Sequence, residues 1–402
     1  MKFLVSLIGF LMYPFSFLVP RNKKKWAFGS FRNAFSDNSK YLFIYCSENR
    51  KDIDAAWISA SKETVKLVRS LGLKAYFIGS FQGICFALRA KYWFFNAYTS
   101  DILFFASGGA TCVNLWHGVA LKRIEFCIQN GPLADRFVRK TLKERFYYPQ
   151  VYRRPDYLLS SSAFQAVTLA KSFRIHITQC INGGYPRNEI LLTDETSRRR
   201  FIAKYEPSII LGVINKISSF HRTFIYMPTW RESQKDIFSG NFNLDVLNGL
   251  MQEKNELLIL KPHPNTMVDV EKLSQYSNIL LLDRRVDSYA VLPYTDVLIT
   301  DYSSVLYDYI LMENKDVILY LYDINEYVNN RDFNYPFHES VVGKELYSFD
   351  ELAECIKNND YKIDAKKRNF IREKFWDKNE NNSFCKKILD AVTMCQKSAN
   401  RQ

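Results

Sequence analysis

Two of the five histidines in this chain stand where an apolar run gives way to a polar loop. His117 lies in Asn114-Leu115-Trp116-His117-Gly118. The apolar stretch ends, an imidazole follows, and Gly118 then lets the backbone turn sharply and approach a ligand closely. With an ordinary pKa of about 6.5, an imidazole so placed suits a general base. His263 lies in Leu260-Lys261-Pro262-His263-Pro264, where two prolines stiffen the backbone around it and a cation precedes it. In Ile299-Thr300-Asp301-Tyr302-Ser303-Ser304 the serines directly precede an apolar helical pattern of Val305, Leu306, Tyr309 and Ile310. Serine hydroxyls and free N–H groups at a helix start make a site for an anion such as phosphate. Arg231 closes Tyr226-Met227-Pro228-Thr229-Trp230-Arg231 and offers a planar fork for phosphate oxygens. Arg187 follows two glycines in Gly183-Gly184-Tyr185-Pro186-Arg187-Asn188, a pattern that predicts a tight chain crossing. Taken singly, a lone His is more often packed than catalytic, and a Ser before a helix is more often a plain cap. What favours chemistry is that His117, His263 and the two serines all follow strand-like runs.

These residues need elements to aim them. Short apolar runs occur at 26–28, 75–78, 92–95, 113–116, 157–159, 224–227, 257–260, 279–282, 297–300 and 317–320. Amphipathic stretches at 38–46, 62–70, 162–171 and 243–253 lie among them. Strands alternating with helices predict parallel sheets covered on both faces. The pattern forms two series, one to about residue 205 and one from about 220, with 204–219 as linker. Ligands of open α/β sheets bind beyond the carboxyl ends of the strands, where these motifs fall.

The chain's 402 residues suit two domains, and its 47 % hydrophobic content excludes a disordered or fibrous protein. Lys plus Arg outnumber Asp plus Glu by 55 to 42, a net charge of +13 that points to an anionic partner. Nucleic acid is disfavoured, because the basic runs are dispersed and no reading motif occurs. The eight cysteines form no C-x-x-C pair or zinc-type cluster, which predicts reduced thiols and no structural metal. Without a D-x-D or other acidic cluster no cofactor is obligatory. Mg²⁺ is compatible but not called for, and Asp301 reads as a cap or hydrogen-bond acceptor. Residues 3–19 carry no charge and are followed at once by Arg21, Lys23, Lys24 and Lys25. An interfacial anchor or short membrane helix is the leading reading, ahead of a buried first element and a cleaved signal. Residues 136–154 interleave basic and aromatic side chains at helical spacing, which predicts a basic amphipathic helix of the kind that lies on membranes, or else a helix packed on its own domain.

Together the motifs resemble the CDP-glycerol glycerophosphotransferase family, which builds teichoic-acid-like and capsular polymers. The match consists of W-H-G at 116–118 with Leu121-Lys122, G-Y-P-R-N at 184–188, P-T-W-R at 228–231, K-P-H-P at 261–264 and I-T-D-Y-S-S at 299–304. Asp37-Asn38-Ser39-Lys40-Tyr41 also looks like the family's first domain. Val119-Ala120 and Glu189 depart from the usual pattern. The resemblance implies an α/β, GT-B-like fold of two Rossmann-like domains facing a central cleft. The resemblance covers about residues 26–330; with the patterning, the expected division is a membrane-associating 1–25, an acceptor-side domain 26–205, a nucleotide-donor domain 220–385 and a tail 386–402. It implies a CDP-glycerol or CDP-ribitol donor, a lipid-linked or polysaccharide acceptor, release of CMP, and work at an anionic membrane surface on its cytoplasmic face. In that chemistry His117 is the candidate base and His263 the second catalytic group. Arg231, Lys261, Ser303 and Ser304 would bind the donor phosphates, with Trp116, Gly118, Asp301 and Arg187 in support. The alternative is a GT-B glycosyltransferase that uses a nucleotide sugar.

Overall fold

The computed structural model describes residues 2–131, 133–229, 242–263, 266, 268–283, 286–330, 332–378 and 383–399. Two parallel sheets organise it. The first contains β1 (Asn22–Phe28), β2 (Asp54–Ser59), β3 (Ala75–Phe77), β4 (Ala90–Phe95), β5 (Thr111–Asn114), β6 (Tyr157–Ser160) and β7 (Cys180–Asn182), in the order β3-β2-β1-β4-β5-β6-β7. The second contains β8 (Arg222–Tyr226), β9 (Glu256–Leu260), β10 (Ile279–Leu281), β11 (Val297–Thr300), β12 (Asp316–Tyr320) and β13 (Lys344–Leu346), in the order β10-β9-β8-β11-β12-β13. In each sheet the winding direction reverses next to the first strand, between β1 and β4 and between β8 and β11. These are the switch points where doubly wound sheets open a crevice at their carboxyl ends.

The central strands are mostly apolar because helices cover both faces. Every residue of β9, β11 and β12 is buried. Five of the covering helices begin on side-chain caps. Ser61, Ser80, Ser162, Asn243 and Ser348 each accept a hydrogen bond from a backbone N–H in the first turn of the helix that follows. The strands that the sequence pattern did not mark are β2, β7 and β13; the last two are three-residue edge strands.

The chain divides into two compact units, Met1–Glu189 with Trp376–Gln402, and Ile190–Phe375. Both differ from the boundaries expected at 205, 220 and 385. Helices Glu195–Tyr205 and Ile209–Ile217 pack with the second unit rather than serving as a linker, burying Ile202, Ile210 and Ile214. The C-terminal segment returns to the first unit. Trp376 meets the edge of Tyr185 at 5.5 Å between centroids, and the Cys385 N–H donates to Glu189 Oε1 at 2.6 Å. Residues 386–399 are therefore not a free tail. They continue helix Phe384–Ala399, which buries Ile388, Leu389 and Val392.

The N-terminal apolar run forms helix Lys2–Ser16, bolted to the first unit by its inner face. Tyr13 stacks on Phe104 at 4.8 Å and Phe10 packs on Phe105 and Phe146. The Arg21 guanidinium beyond it donates to the carbonyls of Ala87, Ala90, Ser16, Ala106 and Gly108. Burial of that guanidinium pushes its pKa down to about 10. No helix among the described residues is long and apolar enough to cross a membrane.

The basic amphipathic helix expected over 136–154 is broken in three. A π-turn at Asp135–Arg139 ends on Lys140 in the left-handed region, φ 50°. Thr141 then caps a short helix, Leu142–Tyr147, and a 3-10 turn follows at Pro149–Val151. Two of its cations turn inward: Arg136 pairs with Glu144 at 2.6 Å, and Arg153 donates to the Ser107 hydroxyl at 2.6 Å.

Candidate active site

The first sheet brings its chemistry to the loop after β5. Trp116 adopts φ 52°, a conformation that a bulky side chain rarely enters and that costs on the order of 1–3 kcal/mol. The next residues are His117 and Gly118, the latter at φ 151° where a glycine is needed. Surrounding groups hold this strained turn. Buried Asn38 donates from Nδ2 to the Trp116 carbonyl at 2.9 Å, and Tyr185 OH donates to the Gly118 carbonyl at 2.9 Å. Arg187, 5 % exposed, donates from Nη2 to the His117 carbonyl at 3.0 Å and from Nη1 to Asp37 Oδ1 at 2.6 Å. Arg187 thus clamps the backbone of the histidine. The Trp116 ring lies against the imidazole, with centroids 4.0 Å apart.

His117 Nδ1 lies 3.1 Å from the Asn96 carbonyl. A carbonyl only accepts, so in the neutral ring Nδ1 carries the proton and Nε2 presents a lone pair. The side chain keeps solvent access although protein crowds its base. That crowding lowers its pKa below the ordinary value. The Asp37 carboxylate and the Asn96 bond oppose the shift, and the Arg187 charge adds to it. At neutral pH this imidazole is an unprotonated acceptor.

The second sheet gathers three motifs at its carboxyl ends, after β8, β9 and β11. Asp301, 2 % exposed, joins two of them across the β8/β11 switch point. Its Oδ1 accepts from the Thr229 hydroxyl at 2.6 Å, and both its oxygens lie 3.0 Å from the Thr229 N–H. It braces the Pro228-Thr229 turn. Arg231 and Pro264, expected on this edge, lie outside the described residues. His263 follows β9 half-buried, and its carbonyl accepts from the Thr266 N–H at 2.9 Å.

Lys261 has partners within its own unit. Its ammonium donates to the carbonyls of Asp283 at 2.8 Å and Val286 at 2.7 Å, so it ties down the loop after β10. Burial pushes its pKa down to about 8. The serines differ in detail. The helix they precede, Val305–Tyr309, has five residues. The Ser303 hydroxyl is 3.4 Å from the Val305 N–H, and Ser304 at the cap position makes no side-chain capping bond. What the edge offers is two half-buried hydroxyls. Among the described residues no group of three or more His, Cys, Asp or Glu side chains could hold a metal ion.

Sequence reasoning did not assign Asp37, Asn96 or Thr229 to the site. Asp37 and Asn38 were visible as a motif without a role, whereas Asn96 carries no local signal beyond following an apolar strand.

The profile of the family described as CDP-Glycerol:Poly(glycerophosphate) glycerophosphotransferase matches residues 11–393. The chain is 26 % identical over 288 residues to the teichoic acid glycerol-phosphate transferase of Staphylococcus aureus (strain NCTC 8325 / PS 47), covering 67 % of this chain and 70 % of that protein. It is also 26 % identical over 267 residues to the teichoic acid ribitol-phosphate polymerase TarK of the same strain, covering 63 % of this chain and 47 % of that protein. Among solved structures, a variant of the wall teichoic acid polymerase TagF aligns with a TM-score of 0.78 at 20 % identity, covering 100 % of this chain and 98 % of that one. A TagF variant soaked with CDPG aligns at 0.73 and 21 %, covering 100 % and 98 %. The likeness shows a GT-B-like α/β fold.

Proposed function

This chain belongs to the CDP-glycerol:poly(glycerophosphate) glycerophosphotransferase family, and from that premise we propose that it transfers polyol phosphate, glycerol phosphate first, from a CDP-polyol donor to a hydroxyl of a lipid-linked or glycan acceptor. The acceptor oxygen attacks the β-phosphorus, the bond from that phosphorus to the bridging oxygen breaks, and CMP leaves with the bonding pair. His117 Nε2 takes the acceptor proton, so the Nδ1–H held on the Asn96 carbonyl is the observation that carries this reading. The attack builds negative charge on the phosphoryl oxygens and on the departing CMP, which fixed donors must meet. Ser303, Ser304, His263 and Arg231 are the candidates, with His263 also the candidate to protonate the leaving oxygen. Lys261, which also braces their loop, is the fifth candidate. Offering the enzyme CDP-glycerol, CDP-ribitol and nucleotide sugars in turn tests this. CMP release with polyol phosphate on the acceptor is expected. Release of nucleoside diphosphate from sugar donors alone overturns it in favour of a glycosyltransferase.

The work is placed at the cytoplasmic face of an anionic membrane. Helix Lys2–Ser16 exposes Phe3, Ile8, Leu11, Met12 and Phe15 on its outer side, and Leu142 beside it is 86 % exposed. Exposed Lys143 shares the helix of Leu142, exposed Arg139 lies three residues before that helix, and exposed Lys23 and Lys24 follow the N-terminal helix on β1. An apolar patch with basic neighbours supports interfacial lipid contact. Leu11→Asp is expected to lower binding to phosphatidylglycerol vesicles about 10-fold, as one buried side chain is worth about 1.5–3 kcal/mol. Unchanged flotation with those vesicles overturns the membrane reading.

A further inference from the structure

We propose that Asp101 and Asn114 are positioning residues that hold the His117 imidazole with its proton on Nδ1 and its lone pair on Nε2. The inference rests on the reading of His117 as base and extends it to two buried residues that never reach a substrate. They close a ring of hydrogen bonds. Asp101 Oδ2 accepts from the Asn96 N–H at 3.1 Å and the Ala97 N–H at 2.9 Å. Asn114 Nδ2 donates to the Ala97 carbonyl at 2.9 Å, and its Oδ1 accepts from the Trp116 N–H at 2.8 Å. The Asn96 carbonyl then accepts from His117 Nδ1, which completes the circuit.

Each member answers a physical need. The loop after β4 must point a carbonyl at the imidazole, so its own N–H groups need a partner on the opposite side, and Asp101 supplies it. The strained Trp116 turn must stay fixed relative to that loop, and the Asn114 amide bridges the two with one donor and one acceptor. The Asn96 side chain adds a further anchor, with Oδ1 accepting from the Ser39 N–H at 3.0 Å and Nδ2 donating to the Ser30 hydroxyl at 2.8 Å. Asp101 is 6 % exposed and Asn114 1 %, so neither is placed for solvent or substrate. Burial pushes the Asp101 carboxyl up to about 7, against the pull of its backbone donors and with the Asp37 charge adding to the rise. The Asn96 and Ala97 N–H bonds both fall on Oδ2.

The test joins nitrogen NMR of ¹⁵N-histidine-labelled full-length protein with steady-state CMP release from CDP-glycerol. The His117 signal is identified by its absence in His117→Asn. In the unmodified protein it is expected as the single Nδ1–H tautomer. Asp101→Leu leaves the Asn96 and Ala97 N–H groups without their acceptor, and Asn114→Asp turns a carboxylate oxygen to the Ala97 carbonyl. Each is expected to give a mixed tautomer and to lower kcat about 10- to 100-fold, with KM for CDP-glycerol unchanged. Variants that fold, keep the single tautomer and turn over at the original kcat overturn the proposal. Should neither variant fold, the unmodified protein decides, since a proton on Nε2 overturns it too. Undiminished turnover by His117→Ala removes the base assignment while the tautomer result stands by itself, so the two failures are distinguishable.

Discussion

The carboxyl edges of the two sheets are built from similar topology and prepared differently. On the first, strain and hydrogen bonds converge on one side chain. Trp116 is forced to positive φ, Arg187 clamps the next carbonyl, and the Asn96 carbonyl dictates which ring nitrogen is bare. On the second, the strong bonds go to the backbone. Asp301 pins Thr229, Lys261 ties the loop after β10, and the serine hydroxyls stay open. Moving a proton needs one lone pair aimed within tenths of an ångström. Meeting a phosphoryl group needs several donors around a diffuse charge, and a braced frame with uncommitted hydroxyls suits that task.

The largest expected break in this contrast is His117→Ala. It should lower CMP release about 10²- to 10⁴-fold, the usual worth of a positioned acid or base, while thermal melting barely moves. Retained turnover in a folded variant ends the assignment. The pH dependence sharpens the same side. Because the crowded imidazole has a pKa below its ordinary value, it stays unprotonated to lower pH, so the acid-side half-maximum of kcat/KM should lie below pH 6.5. A half-maximum above pH 6.5 contradicts the crowding argument. On the other edge, Asp301→Ala removes an acceptor that holds Thr229 through both N–H and hydroxyl. Hydrogen bonds to a buried charge are worth about 1.5–3 kcal/mol, so urea unfolding should show a loss of roughly that size together with a raised KM for CDP-glycerol. An unchanged KM detaches the brace from donor binding. The smallest effect is expected from Ser304→Ala. It removes a single neutral hydroxyl worth about 1 kcal/mol, so KM should rise about five-fold with stability unchanged. A loss as large as that of His117→Ala would make the two edges alike in kind.

Much of this was legible in one dimension. The apolar runs that became β8, β9 and β11 are near-continuous because helices cover both sheet faces, and that composition needs no partner to be read. The short edge strands β7 and β13 escaped because a three-residue segment has too little pattern to stand above its surroundings. The amphipathic spacing over 136–154 misled for a different reason. Lys140 turns left-handed and Thr141 restarts the helix, while Arg136 and Arg153 find partners inside the unit. Periodicity records which residues could share a face, but not whether the chain runs unbroken between them.

By itself the sequence determined the alternation of strands and helices, the placement of the motifs at strand ends, and through those motifs the family. Spacing along the chain encodes these, and they follow from local sterics and burial. The tertiary structure decided which atoms meet. Arg187 finds Asp37 150 residues away, His117 takes its tautomer from a carbonyl 21 residues earlier, and the Lys261 ammonium meets a carbonyl 22 residues later. The C-terminal helix goes back to the first unit for the same kind of reason. Hydrogen-bond partners so far apart are brought together only by the strand order, and a buried polar group takes the partner that the fold presents to it.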